Sequence, residues 1–530
     1  MFEPLPTPAE MAAWDQAAIT DFGLKAELLM ENAGARALDA LEQAVGPLEG
    51  ARVLLMAGGG NNGGDAFVLA RRLLDAGAEP LVLHTKPRSG HSPEARYHMD
   101  LARRVGAELR RLPLDRAARV LETLPRPDIV VDGLIGAGLK GPLSSEYAAL
   151  IEAMNRLGEN AFVLALDIPS GLCGTSGLPK PVAVRADLTV TFHAAKLGCA
   201  LPHAAPHVGT LDVRSIGIPR AATAATSPRQ MLMTDALLDL LKIPAADLHK
   251  GKAGHVLVIG GGEGLTGAAQ LCGLGALRAG AGLVTLACPR GVLAEAKAAM
   301  PDLMALPLGQ SGQARFMPDC LEELLPHLSR FGAVVIGPGL GRDAGSGEFL
   351  AAFATAFARH FSQEMGKAWA PPCVYDADAL FHLAQSPGLM AELPANAVLT
   401  PHPGEMARIL GMGMGELQAD RPSAARRFCQ THPQVLALKG AGTLVAQNGV
   451  LRLCPIAAPN LAVGGSGDVL AGVMAACLAR GIEPLSAACL AVHWHALCGR
   501  RLEEDFPLRG NLPTEIAHTL PLVLKERTSC

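Results

Sequence analysis

One pattern limits what this chain can fold into more than any other, and it occurs twice. Runs rich in Val, Leu and Ile alternate with alanine-rich stretches over roughly the first 220 residues, and the alternation resumes after a break. In the first series the strand candidates are Arg52–Met56, Pro80–His84, Asp128–Asp132, Ala161–Asp167 and Asp187–Phe192, with helical stretches near 65–77, 92–105 and 145–157. Short apolar runs separated by helical stretches read as buried parallel strands, so a doubly wound sheet with helices on both faces is expected. Ahead of it, Leu28–Gly34 has a helical pattern suited to packing across the domain. The second series begins at His255–Gly260 and runs through Ala333–Ile336, Val374–Tyr375, Ala397–Leu399, Val435–Leu438 and Thr443–Ala446. It ends in helical patterns after Asp468 and after Pro484. Between the two series Arg220–Arg229 is small and polar without apolar period, which reads as a linker. The expectation is α/β throughout: one three-layer domain over 1–220, a linker over 221–235, and a second three-layer domain over 236–530.

Composition fits buried sheets and excludes several classes of partner. Hydrophobic residues make up 49%, charged residues 18% and aromatics 4%, so the cores must be built from aliphatic side chains. A net charge of -4 leaves no basic stripe for nucleic acid. The N-terminus has no basic region followed by an apolar one, and no run of about 18 uncharged apolar residues occurs, so a cytoplasmic protein without a membrane partner is expected. Twelve cysteines are scattered singly with no C-x-x-C pair, as small buried hydrophobes in a reducing compartment would be.

Two strands run into G-x-G-x-x-G, at Gly58–Gly63 and Gly262–Gly267. Such turns present N–H groups to an anion, or simply join strand to helix tightly. A dinucleotide fold of the dehydrogenase kind also needs an acid about 20 residues further on, at the end of the second strand. The first such strand ends in His84-Thr85-Lys86 and the second in Cys288-Pro289-Arg290, which argues against hydride transfer.

The first loop is more specific than its glycines. Gly60-Asn61-Asn62-Gly63-Gly64-Asp65 offers two amides and a carboxylate, suited to a ribose or a weakly held cation. Asp132, Asp167 and Ser170 stand at the carboxyl ends of strand candidates, where an open parallel sheet has its ligand crevice. Gly136-Ala-Gly-Leu-Lys-Gly-Pro142 is a second glycine turn, with a lysine, before a helix. G-N-N-G-G-D, V-D-G-L-I-G-A-G-L-K-G-P and D-I-P-S-G, in this order over residues 5–220, resemble the epimerase domain of the bifunctional NAD(P)H-hydrate repair enzymes.

That resemblance implies contacts to the hydrated dinucleotide from Asn61, Asn62, Gly63, Gly64, Asp65, Gly136, Ala137, Gly138, Leu139, Lys140, Gly141, Pro142, Tyr147 and Asp167. It implies a potassium ion held by Asn62, Asp132 and Ser170. Oxygen ligands suit a hard cation, although the residues do not choose potassium over sodium. Asp167 is the candidate general base, or it caps the turn before Pro169. Ala66 departs from the family, which often has another glycine there.

Further motifs follow in the second half: Lys250-Gly-Lys-Ala-Gly-His255, the glycine loop of 260–269, Gly337-Pro-Gly-Leu-Gly341, Thr400-Pro-His-Pro-Gly-Glu405, Lys439-Gly-Ala-Gly-Thr443 and Val463-Gly-Gly-Ser-Gly-Asp468. Together, over 236–525, they look like the nucleotide-dependent dehydratase domain of the same family, whose fold is similar to ribokinase. The first domain is correspondingly expected to be Rossmann-like.

Hydrated NAD(P)H carries a hydroxyl that is a poor leaving group, and phosphorylation makes it a good one. A kinase step of this kind needs a base for the hydroxyl and dipoles for the moving phosphoryl group. Asp468 suits the base, and the N–H groups of Gly465, Ser466 and Gly467 suit an anion hole; Asp468 as a helix-start acid is the rival reading. The resemblance implies nucleotide contacts from Lys439, Gly440, Ala441, Gly442, Thr443 and Gly467, and hydrate contacts from Ala268, Gly339, His402 and Asp468. Glu405 positions a magnesium-bound water or caps a helix.

The function so implied is epimerisation of R and S hydrated NADH and NADPH, with dehydration of the S epimer by an isomerase–lyase that consumes ADP and releases AMP and phosphate. ADP as co-substrate, Mg2+ in the second domain, K+ in the first and a homo-oligomer are expected. The rival is a ribokinase-like small-molecule kinase whose N-terminal domain is regulatory. Two stretches lie outside the family pattern: Ala458–Val463 is a loose approach to the glycine loop, and Arg359–Pro372 has no counterpart.

Overall fold

The computed structural model describes residues 1–139, 141–224, 228–242, 245–298, 300–361 and 370–528, so Lys140 and most of the Arg359–Pro372 stretch lie outside the described residues. The chain forms two compact bodies, one of Pro4–Met231 and one of Met1–Glu3 with Leu232 onward. The stretch expected as a linker carries a short helix, Arg220–Ala224, and a strand, Gln230–Met233. The change of body therefore falls within that strand rather than in a structureless segment.

Strands are numbered along the chain. After β1 (Phe2–Pro4) come β2 (Arg52–Ala57), β3 (Glu79–His84), β4 (Glu108–Arg111), β5 (Ile129–Gly133), β6 (Phe162–Leu166), β7 (Leu188–Phe192) and β8 (Thr210–Arg214). In the first body β2 to β8 form a seven-stranded sheet in the order β4-β3-β2-β5-β6-β7-β8. Every pairing is parallel. Residues of β2 alternate between the two faces, as strand geometry requires. Val53, Leu55 and Ala57 join a core with the helices Ala26–Val45 and Asn61–Asp75, while Leu54 and Met56 join the core under the helix Ser145–Leu157. Burial of each such Val, Leu or Ile contributes about 1.5–3 kcal/mol. The strand order reverses between β2 and β5, and the crevice at that switch point is where an open α/β sheet takes its ligand.

The second body adds β9 (Gln230–Met233), β10 (His255–Ile259), β11 (Leu283–Pro289), β12 (Met304–Leu308), β13 (Ala333–Ile336), β14 (Cys373–Tyr375), β15 (Val398–Leu399), β16 (Val435–Leu438), β17 (Leu444–Gln447) and β18 (Val450–Leu453). Its eleven-stranded sheet runs β1-β9-β18-β17-β16-β15-β14-β13-β10-β11-β12. From β12 to β16 the pairs are parallel, and β16-β17-β18 is an antiparallel meander. The strand order reverses between β10 and β13, so this body too has a switch point.

Two helices cross there at close range. A Cβ on Gly472 of Ser466–Ala479 would stand 1.9 Å from the Cys272 carbonyl oxygen of Thr266–Arg278, and one on Gly275 would stand 2.4 Å from the Val469 oxygen. The apolar stretch following Asp468 is thus held by backbone contact. Among the described residues no helix is long and apolar enough to cross a membrane.

Two helices begin earlier than the sequence pattern suggests. The helix expected near 65–77 starts at Asn61, because Gly60 caps it in extended conformation and its carbonyl accepts the N–H groups of Gly63 and Gly64. Asn61 to Asp65 therefore sit on a first helical turn rather than on a free loop. Likewise the helix around Asp468 begins at Ser466.

Candidate active sites

At the first switch point the glycines are demanded by packing. A Cβ on Gly58 would stand 1.9 Å from the Leu134 oxygen, one on Gly63 2.0 Å from the Gly58 oxygen, and one on Gly64 2.4 Å from the Met30 sulfur. The methyl of Ala66 is fully buried, and a Cβ on Gly133 would approach it to 2.8 Å, so the departure at 66 is matched by a glycine opposite.

Register sets Asp132 opposite Met56 and Ala165, at the sheet's carboxyl edge. It is fully buried, and burial raises its carboxyl to about 6 against the hydrogen bonds from Ser170. The Ser170 N–H donates to its Oδ2 (2.7 Å), the Ser170 hydroxyl to its Oδ1 (2.5 Å) and the Leu134 N–H to Oδ1 (3.1 Å). The Ser170 oxygen in turn accepts the Ile135 N–H at 2.8 Å. Beside this network Asn62 is 8% exposed, and both polar atoms of its amide lack any hydrogen-bond partner. A Cβ on Gly136 would lie 3.1 Å from the Asn62 Oδ1 and 3.3 Å from the Asp167 Oδ2. Asn62, Asp167 and the 136 turn thus converge, with Asp132 at the end of β5 and Ser170 in the loop after β6.

Asp167 adopts a left-handed backbone with φ 64°, a strained choice for a non-glycine residue. Its Oδ1 accepts the Lys196 ammonium, the Thr191 hydroxyl (3.3 Å) and the Phe192 N–H (3.5 Å). Lys196 is 1% exposed and also donates to Thr191 Oγ1 (3.0 Å) and the Phe192 carbonyl (2.9 Å). Oδ1 is tied to the protein, which leaves Oδ2 toward Gly136. Asp65, buried in the same field of carboxylates, is raised well above the ordinary aspartate value by burial and then by Asp167. Asp15 is raised to about 6, also chiefly by burial. Tyr147 bonds Thr85 at 3.3 Å, across the end of β3, and Asn61 accepts the Ser92 hydroxyl at 3.2 Å. Ala137, Gly138, Leu139, Gly141 and Pro142 lie partly or fully open on the turn, with Gly141 at φ 75°.

In the second body the loops after β10 and β13 are stitched together. Gly261 donates to the Pro338 carbonyl (3.0 Å) and Gly262 to the Gly339 carbonyl (2.7 Å). Gly339, at φ 63°, could carry no Cβ without meeting the Leu265 oxygen at 2.4 Å. Ala268 is half-buried in the first turn of the following helix.

Carboxyl ends of β14, β15 and β16 bring Asp376, Thr400 and Lys439 together. Lys439 donates to Asp376 Oδ1 at 2.7 Å, and the Thr400 hydroxyl donates to the same oxygen at 2.7 Å. A Cβ on Gly467 would lie 3.2 Å from the Lys439 ammonium, which places that cation at the turn preceding Asp468. Asp468 is partly buried; burial first, and Asp376 second, raise its carboxyl to about 7. Lys439 is shifted upward by Asp376, Glu405 and Asp468 against the opposing effect of burial.

Of the three N–H groups expected to form an anion hole, that of Ser466 is not free. The Ser466 N–H donates to the Val463 carbonyl at 3.2 Å, so it is spent within the turn. The Ser466 hydroxyl pairs with His495, whose imidazole burial drives down to about 4, keeping it neutral. His402 caps the helix Pro403–Leu410. Its Nδ1 accepts the Gly404 and Glu405 N–H groups at 2.9 and 3.4 Å, and Glu405 accepts the His402 N–H at 2.8 Å. Nδ1 is therefore the unprotonated nitrogen of a neutral ring, and burial lowers the imidazole. Glu405 does cap this helix; being 4% exposed, it is raised to about 7 by burial.

Lys196, Asp376 and Asp378 were not anticipated from the sequence. Asp378 holds the glycine loop by accepting the Gly341 N–H (3.1 Å) and the Arg342 Nε (2.7 Å). The signal for the two acids was available: Tyr375-Asp-Ala-Asp378 places them directly after an apolar run, as at Asp132 and Asp167. Among the described residues no three His, Cys, Asp or Glu side chains converge as metal ligands. A cation in the first body would thus rely on amide, hydroxyl and carboxylate oxygens.

Two parallel α/β bodies, each with acids and glycine turns gathered at its switch point, define a two-domain enzyme of nucleotide chemistry. A family model described as NAD(P)H-hydrate dehydratase matches residues 256–522, and one described as YjeF-related protein N-terminus matches 26–198. The chain is 35% identical to the bifunctional NAD(P)H-hydrate repair enzyme Nnr of Moorella thermoacetica over 98% of its own length and 96% of the relative's. It is 32% identical to the Escherichia coli enzyme of that name, over 89% and 84%. Among solved structures, the ADP/ATP-dependent NAD(P)H-hydrate dehydratase of Bacillus subtilis is 27% identical with a TM-score of 0.44, covering 55% of this chain and 95% of that one. The chain belongs to the family of bifunctional NAD(P)H-hydrate repair enzymes.

Proposed function

We propose that this chain repairs hydrated NADH and NADPH, the first body interconverting the R and S epimers and the second dehydrating the S epimer at the expense of ADP. The observation that carries the second half is the partly buried Asp468 carboxyl at a helix start, with the Lys439 ammonium beside Gly467. Asp468 takes the proton of the hydrate hydroxyl while that oxygen attacks the terminal phosphoryl group of ADP, releasing AMP. The N–H groups of Gly465 and Gly467 and the Lys439 cation receive the charge of the phosphoryl group. The ring nitrogen then expels phosphate, and loss of the neighbouring C–H proton restores NAD(P)H. A magnesium ion bound with the nucleotide phosphates would supply charge neutralisation there. Asp376, just past β14, and Glu405, in the first turn of the helix Pro403–Leu410, are the buried carboxylates that serve this charge balance.

In the first body the hydroxyl carbon of the hydrate also carries the ring nitrogen. A base on the hydroxyl therefore lets the carbon–nitrogen bond open and reclose on either face. Asp167 is that base, aimed through Oδ2 because Lys196, Thr191 and Phe192 hold Oδ1. The orphaned amide of Asn62 fits a potassium ion, which Asn62, Asp132 and Ser170 would hold and which would supply a fixed positive charge near the substrate. A cytoplasmic setting suits this chemistry, and the cysteines among the described residues are all free.

The test is to incubate the full chain with an R/S mixture of hydrated NADH and with ADP or ATP. Absorbance at the NADH band should recover for both epimers as AMP accumulates with ADP. A phosphorylated product without recovery of absorbance would support the kinase reading instead.

A further inference from the structure

Arg421 opens the helix Arg421–Thr431 and is 8% exposed. Among the described residues it has no carboxylate within ion-pair distance, and burial lowers its guanidinium to about 10, which still leaves it charged at neutral pH. Its partners are three main-chain carbonyls of one loop. Nη1 donates to the Ala441 oxygen (2.5 Å), and Nη2 to the oxygens of Leu438 (3.0 Å) and Lys439 (3.0 Å). A buried cation compensated only by dipoles is costly unless something gains from it.

The gain lies in the opposite direction of the same peptide planes. In a trans peptide the N–H points away from the C=O. With the carbonyls of Lys439 and Ala441 turned onto Arg421, the N–H groups of Gly440 and Gly442 are turned away from it. Gly440 at φ 140° and Gly442 at φ 63° permit this orientation, and a Cβ on Gly440 would stand 2.9 Å from the guanidinium. The Thr443 hydroxyl closes the loop onto the Gly440 carbonyl at 3.0 Å. Successive N–H groups presented from such a turn make an anion-binding concavity.

We propose that Arg421 is a positioning residue for the nucleotide: it holds the carbonyls of 438, 439 and 441 so that the loop offers its N–H groups to the phosphates of a nucleoside diphosphate. This rests on the dehydratase reading of the second body. Arg421 itself touches no reacting atom, so its loss should weaken nucleotide binding more than turnover.

The experiment compares Arg421→Met and Arg421→Lys in the full-length chain. One arm measures the ADP KM and kcat for recovery of NADH at saturating hydrate, and the other the ADP dissociation constant by calorimetry without hydrate. For Arg421→Met both ADP constants should rise about tenfold or more, and for Arg421→Lys less, with kcat within about threefold and the hydrate KM unchanged. ADP constants unchanged in Arg421→Lys, or a fallen kcat with unchanged ADP constants, would overturn the proposal. If Arg421→Met does not fold, the Arg421→Lys calorimetry decides alone. Wild-type protein that binds ADP without restoring NADH would sink the repair reading, whereas the calorimetric comparison would still judge Arg421.

Discussion

Lys439 and Asp376 form an ion pair of 2.7 Å just past the ends of β16 and β14, two parallel strands with β15 between them, and the carboxylate is 1% exposed. The pair sets the field in which Asp468 titrates, because Asp376 pushes the Asp468 carboxyl up while Lys439 pulls it down. Asp376→Asn removes the first influence and frees the second. The Asp468 carboxyl should then ionise at lower pH, and the acid limb of kcat/KM for dehydration should move below its wild-type position near 7. Thermal unfolding should show a loss of about 3 kcal/mol or more, as when one partner of a buried pair is removed. A pH–rate profile with a melting curve checks both.

Lys196→Met takes away the cation tied to Asp167 Oδ1. Without that tie the Asp167 carboxylate is free to turn, and Oδ2 is no longer held toward Gly136. The rate at neutral pH should drop about 10- to 100-fold. ADP-dependent dehydration of pure S epimer, which uses the other body, should be unaffected, so the ratio of the two rates in one sample isolates the effect.

Potassium should accelerate epimer interconversion and leave dehydration of the S epimer unchanged. Asp132 is raised to about 6, so a proton competes with the ion below that pH and the activation should fade as the pH drops through it. Asn62→Ala deletes the orphaned amide and should abolish the difference between potassium and potassium-free buffer. Chiral separation of the epimers against time, with and without the salt, checks this.

Gly472→Ala should destabilise the second body by about 1–3 kcal/mol, since the added methyl would stand 1.9 Å from the Cys272 oxygen and force apart the helix that carries Asp468. The melting temperature should fall, and dehydratase activity should fall with it while epimerisation persists.

The central strands and the acids that follow them were legible because a parallel strand buried on both faces is a plain apolar run, and its carboxyl end is where chemistry collects. Asp132 and Asp167 were found this way, whereas Asp468 was marked by the glycine loop ahead of its helix. The edge strands Glu108–Arg111 and Thr210–Arg214 were not, because an edge strand half in solvent keeps polar residues and loses the signal. Lys196 and Arg421 were missed for a different reason. Lys196 is a lone cation among small and apolar residues, and Arg421 stands near Arg426 and Arg427 with nothing in its spacing to mark it as the buried one. Their roles depend on carbonyl and carboxylate partners that only the fold brings within reach. The spent N–H of Ser466 was likewise invisible, since it depends on how the turn closes.

The most direct measurement is the pH dependence of S-epimer dehydration by Asp468→Asn beside the wild type, with epimerisation followed in the same samples. Wild-type kcat/KM should rise with pH through about 7, the range to which burial and Asp376 push this carboxyl. Asp468→Asn should lose about 100- to 10,000-fold in dehydration, together with that limb, and keep full epimerisation. Dehydration within tenfold of wild type in a folded Asp468→Asn chain, with the limb still present, would contradict the role of Asp468 as the base.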